Sequence, residues 1–318
     1  MAISYNYALT RGKNLVLGMA IALLILHTHT PVQAQTVEIL PQTTDSTINF
    51  DKTAHLVIFP TSVRKNQLFV FLSGSYGKPR AQQLVLEEAA KLGYHAIGLS
   101  YPNSWTVEQL CLGSSDVNCY EQVRSEIIEG VDHSETLAIN PPDSIENRLV
   151  KLFVYLNQQY PEQGWLQYLE GESPKWANIV VAGHSQGGGH AAMIGKKNLV
   201  ARVIMLGAPA DYSQVLNTPA PWLSTPNETP ADRYYGFVHL QDQGFEKIQQ
   251  AWEILGLVGP QVNVDQVAPP YNKSHWLLTG ATPARPGKQH GSVAVDNNTP
   301  KLPDGTPMFA PVWQYLLQ

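Results

Sequence analysis

One stretch limits what this chain can fold into: Asn178-Ile179-Val180-Val181-Ala182-Gly183-His184-Ser185-Gln186-Gly187-Gly188-Gly189. Its first five residues are a short, mostly β-branched apolar run, which suits a strand buried on both faces. A serine follows abruptly, and Gly187 to Lys197 then has the small and apolar content of a helix packed against a sheet. Strand, sharp turn and helix are the setting in which Gly183-x-Ser185-x-Gly187 carries meaning, because the turn holds the serine oxygen clear of the sheet. The flanking glycines have a physical job: so tight a turn brings backbone against backbone and leaves no room for a Cβ. The five-residue pattern alone is a weak signal, and its flanking elements make it a strong one.

Through Gly183-His184-Ser185-Gln186-Gly187 after an apolar strand, the chain resembles the α/β-hydrolase superfamily. The resemblance implies an α/β fold with a mostly parallel central sheet, helices on both faces, and a Ser, acid, His triad in that chain order. It covers essentially all of residues 35–318.

Residues 1–34 read as a targeting segment. Arg11 and Lys13 precede an uncharged run from Leu15 to Leu26, and Val32-Gln33-Ala34 offers small residues at the two positions a signal peptidase inspects. The apolar run is too short to span a bilayer comfortably. Cleavage after Ala34 is expected, an uncleaved anchor being the alternative. No stable membrane anchor would then remain, and the protein would be secreted or periplasmic. The absence of any Cys before Cys111 argues against a bacterial lipid anchor. Residues 35–318 suit one α/β-hydrolase domain. The formal charge of −5 is spread without a basic stripe, which argues against nucleic acid as a partner. In an exported chain, Cys111 and Cys119 invite a disulfide, and closing so short a loop stabilises by about 2 to 3 kcal/mol on the chain-entropy model.

Further along, Ala54–Phe59, Leu68–Leu72 and Tyr94–Ser100 read as strands, with an amphipathic helix across Pro79–Leu92. The loop Ser73-Gly74-Ser75-Tyr76-Gly77 joins the second strand to that helix. In α/β hydrolases the corresponding loop gives one backbone N–H to the oxyanion hole, and the residue after the nucleophile gives the other. By resemblance these donors are Ser75 and Gln186, although this loop departs from the family's commoner His-Gly form. A long excursion from Tyr101 to Pro142 should lie over the active-site mouth, with at most one short helix near Glu121–Ile128. Tyr76, Tyr101 and Trp105 are candidates for apolar wall there, satellite core being their commoner use. Ser144 starts a clear helix. Four prolines between Tyr212 and Arg233 exclude a helical lid domain.

Two later strands, Ala201–Leu206 and Tyr234–Leu240, end near Asp211 and Asp242. The triad acid must accept the His Nδ1–H and steady the imidazolium. Asp242, two strands after the serine strand, is where the family usually keeps its acid; Asp211 is the alternative. His275 opens a last strand, while His290 sits in the loop beyond it and can reach down onto the elbow. The expected triad is therefore Ser185, Asp242 and His290. His184 fills the variable elbow position and is expected to pack sideways. A final helix is expected over Met308–Leu317. No His, Cys or carboxylate cluster has metal-ligand spacing, so neither metal nor other cofactor is expected. The expected activity is hydrolysis of small-molecule or lipid carboxylic esters through an acyl-enzyme. A lipase or peptidase of the same fold, or a binding module without chemistry, are the alternatives; oligomeric state is not encoded legibly.

Overall fold

The computed structural model describes residues 1, 2, 4 and 35–318. The leader reading rests on residues 5–34 and lies outside the described residues. No helix among the described residues is long and apolar enough to cross a membrane.

Nine strands form one sheet. They are β1 (Thr36–Ile39), β2 (His55–Ile58), β3 (Leu68–Leu72), β4 (His95–Leu99), β5 (Ile179–His184), β6 (Arg202–Leu206), β7 (Tyr234–His239), β8 (Val262–Asn263) and β9 (Trp276–Thr279). Their spatial order is β1-β2-β4-β3-β5-β6-β7-β9-β8. Only the pairings of β2, with β1 and with β4, are antiparallel. All other neighbours in the sheet run parallel. This is an α/β fold with a mostly parallel central sheet.

The parallel strands are near-continuous apolar runs because both of their faces are covered. In β3, Leu68, Val70 and Leu72 face one core, while Phe69 and Phe71 face the other. On the first side pack α3 (Cys119–Glu129), α4 (Ile145–Gln159), α5 (Gln186–Lys197) and α6 (Phe245–Leu255). On the second lie α1 (Gln83–Lys91) and α8 (Ala310–Leu317). Ser144 caps α4 by accepting the Asn147 N–H at 3.1 Å, which satisfies one orphan donor of its first turn.

The excursion holds more helix than its weak periodicity predicts. Besides α3 it contains α2 (Val107–Cys111), started by a capping box in which Thr106 and Gln109 exchange side-chain and backbone bonds. The Cys111–Cys119 disulfide joins α2 to the start of α3. Residues 212–233 contain a pair of two-residue strands and two short 3-10 turns. The closing helix starts at Ala310, just after the expected Met308.

Candidate active site

Ser185 sits between β5 and α5 with φ 54° and ψ −123°, a conformation that persists only when its surroundings enforce it. Two glycines enforce it here. A Cβ added to Gly183 would lie 2.2 Å from the Gly187 carbonyl carbon, and one on Gly187 would lie 2.1 Å from the Leu72 carbonyl oxygen. Strand, turn and helix can therefore close only because both side chains are missing. The Ser185 N–H donates to the Leu206 carbonyl at 2.9 Å, pinning the turn to the neighbouring strand end.

Asp242 follows the end of β7, and His290 lies in α7 (Gln289–Ser292), beyond β9. His290 Nδ1 is 2.7 Å from Asp242 Oδ2. Burial pushes the Asp242 carboxyl upward, but the His290 hydrogen bond, the His290 charge and the Gly244 N–H outweigh it and hold it below its usual value. An ionised carboxylate only accepts, so Nδ1 carries the proton of this bond. The Asp242 side chain is fully buried and that of His290 is 34% exposed, so the ring bridges interior and cleft. Ser185, His290 and Asp242 line one cleft of about 680 Å³. Among the described residues Ser185 Oγ has no hydrogen-bond partner; such contacts commonly tighten only once substrate is bound.

Ser75 and Gln186 line the same cleft. Among the described residues neither backbone N–H meets an acceptor. An added Cβ on Gly74 would lie 3.0 Å from Ser185 Cβ, so this loop abuts the serine. The Ser73–Gly77 loop is gripped by the start of the excursion. Asn103 Nδ2 donates to the Gly74 and Gly77 carbonyls, both at 2.9 Å. In return the Tyr76 N–H donates to the Asn103 carbonyl at 2.7 Å. Tyr101 Oη donates to the Ser73 carbonyl.

Asp211 lies elsewhere in the same cleft. Its carboxylate takes a bidentate pair from Arg124, Nε at 2.7 Å and Nη2 at 2.6 Å, and the Trp222 Nε1–H at 2.9 Å. It makes no bond to His290. Arg124 Nη1 also donates to the Gln186 carbonyl at 3.0 Å, so this buried pair braces the first turn of α5 from below. Nothing in the sequence marks Arg124, because α3 carries little amphipathic pattern.

His184 does more than pack sideways. Burial first, and then the neighbouring His290 charge, lower its pKa to about 3, so it is neutral. Its Nε2–H donates to the His290 main-chain carbonyl at 2.9 Å.

Tyr101 and Trp105 take the commoner of their two uses and pack with the core rather than the cleft. Tyr101 is buried, with its ring against His190, and the half-buried Trp105 packs edge-on against the exposed Phe50 at the margin of the core. Tyr76 is 61% exposed. None of the three lines the cleft; Val107, Tyr120 and Ile248 do. The start of α2, through Val107, provides that side of the cleft instead. Across the mouth, Lys247 Nζ approaches Glu108 at 3.8 Å, an exposed pair of little energetic weight. Among the described residues, no three His, Cys, Asp or Glu side chains are grouped to hold a metal ion.

No family model matches the chain, and no curated protein matches it. Solved structures similar to it include a dienelactone hydrolase from Anabaena variabilis, at 15% identity over 78% of this chain and 84% of that one, with a TM-score of 0.37. Others are the tributyrin phosphonate-inhibited esterase B from Lactobacillus rhamnosis (11%, 90% and 87%, 0.45) and the acetyl xylan esterase from Aspergillus awamori (13%, 78% and 93%, 0.41). The chain has the α/β-hydrolase fold: its strand order, its antiparallel β2 and the serine turn between β5 and α5 define that class.

Proposed function

We propose that this protein is an exported serine hydrolase of carboxylic esters, with Ser185 as nucleophile, His290 as base and Asp242 as the acid that orients it. The observation that carries the reading is the Asp242–His290 contact beside the Ser185 turn: an ionised, buried carboxylate holds the imidazole by its Nδ1 in the serine's own cleft. In the first half-reaction His290 Nε2 takes the Ser185 proton as Oγ attacks the ester carbonyl carbon. The negative charge gathers on the carbonyl oxygen, where the Ser75 and Gln186 N–H groups receive it. Each such donor lowers the barrier by about 3 to 4 kcal/mol. His290 then protonates the departing alcohol. A water deprotonated by the same ring attacks the acyl carbon, and Ser185 recovers its proton as the acid leaves.

Export is supported by the Cys111–Cys119 disulfide, which belongs to oxidising compartments. The test is hydrolysis of p-nitrophenyl acetate and butyrate, with fluorophosphonate labelling, by residues 35–318 and by Ser185→Ala. Loss of both signals in a variant that melts normally is the expected result; unchanged turnover removes the nucleophile. Adding long-chain triglycerides and peptide amides to the panel separates a lipase or peptidase from an esterase. A protein that reacts with no substrate and no probe would be a binding module.

A further inference from the structure

The two amides proposed to receive the oxyanion come from loops far apart in sequence. One belongs to Ser75, after β3, and the other to Gln186, at the start of α5. Preorganised donors are effective only if their spacing is fixed before the charge develops. The fold fixes β3 beside β5, but Ser75 lies beyond the end of β3, where ladder bonds no longer hold it.

We propose that the Gln186 side chain is a positioning residue that locks these two amides together. The inference rests on the serine-hydrolase reading and adds to it a residue whose side chain touches neither substrate nor nucleophile. Gln186 Oε1 accepts the Ser75 Oγ–H at 2.8 Å and the Val107 N–H at 3.1 Å. Both lone pairs of that oxygen are thereby used. Among the described residues the Ser75–Gln186 bond is the one side-chain hydrogen bond linking residues 73–77 to residues 184–188. The residue that gives one amide thus grasps the side chain of the residue that gives the other.

Two further observations favour a built device. Gln186 is 6% exposed, so its carboxamide is carried inside the fold, and its oxygen is aimed at Ser75 and Val107. The second observation is how the opposite side of the loop is held. Asn103 and Tyr101 grip Gly74, Gly77 and Ser73, so the loop is clamped between the excursion and the elbow. Val107 opens α2, which the disulfide ties to α3, so Gln186 also joins this clamp to the cleft wall.

A purely structural Gln186 would satisfy the Val107 N–H and do nothing for the barrier. Ser75→Ala separates the two roles. It removes the hydroxyl donor and leaves the Ser75 amide, the Val107 bond and the nucleophile in place. With a clamp, kcat on p-nitrophenyl butyrate falls about 10- to 100-fold while KM stays within about twofold. Affinity for a trifluoromethyl ketone, which forms the oxyanion adduct, falls by the same factor as kcat/KM. Ser75→Thr keeps the donor and restores kcat. Gln186→Met loses rate like Ser75→Ala, and the double variant is no slower than Gln186→Met alone, because both act through one bond.

Wild-type kcat and inhibitor affinity in Ser75→Ala overturn the proposal, and this variant decides alone if Gln186→Met does not fold. Further loss in the double variant also overturns it, since Ser75 Oγ would then be touching the oxyanion itself. Turnover that survives in Ser185→Ala is a different failure: it removes the nucleophile beneath the proposal, whatever the Ser75 series shows.

Discussion

His184 Nε2 lies 2.9 Å from the main-chain carbonyl oxygen of His290, and the two imidazole rings pack with centroids 4.7 Å apart. The residue before the proposed nucleophile therefore holds the segment that carries the proposed base. A neutral imidazole suits this task, because its N–H donates without placing a positive charge beside His290.

His184→Phe keeps the ring and removes the donor. The His290 carbonyl then loses its partner, and stability falls by about 1 to 3 kcal/mol. With the His290 segment loosened, kcat drops about 10- to 100-fold. Urea melts and steady-state kinetics measure the two effects; unchanged values for both would mean that the contact does not position His290.

The two candidate acids separate by which property their loss affects. Asp242→Asn leaves the packing intact but removes the carboxylate that fixes the His290 tautomer, so kcat falls by about 10⁴-fold with little change in melting. Asp211→Asn leaves the buried Arg124 without its counter-charge, and stability falls by about 3 to 5 kcal/mol. If Asp211→Asn instead melted normally and lost all turnover, the roles would be reversed.

Gly74→Ala tests the contact between the Ser75 loop and the serine. The new methyl would start 3.0 Å from Ser185 Cβ and 3.1 Å from His184 Nδ1, so one side must yield by a few tenths of an ångström. A shift of that size at the reacting centre should reduce kcat about tenfold with modest change in melting. Gly187→Ala meets backbone at 2.1 Å and should give little folded protein; soluble expression at wild-type yield would contradict the elbow geometry.

Acid should weaken the fold before it titrates most carboxylates. Burial, and for His55 the Arg148 charge, lower His55 and His184 from 6.5 to about 3, and His190 is also lowered, by burial and then by Arg124. Between these values the unfolded chain binds protons that the folded chain refuses. The stability contribution is full above about pH 6.5 and is lost as pH falls. Asp296 runs the other way: burial raises it to about 7, so its protonated form favours the fold over the same window. Burial lowers His95 and His275 as well and raises Glu146, so the histidines outnumber the opposing carboxyls and stability falls between pH 6.5 and 5.5. Equal urea midpoints at the two pH values would contradict the neutral, buried histidines.

Much of the sheet is legible in the sequence because parallel strands are short apolar runs with polar ends. The elbow is legible because its glycines, serine and helix content sit in fixed order. The expectation of Asp242 and His290 rests on where α/β hydrolases keep their acid and base; the residues themselves leave Asp211 open. The edge strands are not legible: β1 is four residues of which only Ile39 is buried, and β8 is only two, too short for a pattern. The excursion hides the rest. Asn103, Val107 and Arg124 acquire their roles from partners on other elements, and no local periodicity records such contacts. The Gln186 side chain is hidden for the same reason, its backbone N–H being the part the motif makes visible.

Because Asn103 and α2 leave the same segment, the stretch that shapes the pocket wall also steadies the loop beside the serine. Under the proposed serine-hydrolase reading, selectivity and speed are thereby wired together. On that reading, an engineer who swaps residues 101–120 to admit a bulkier acyl chain would be altering the proposed machinery for turnover as well. Broadening its diet without slowing it means redesigning from the α6 side, where Ile248 and Lys247 border the cleft but hold neither Ser75 nor Gln186.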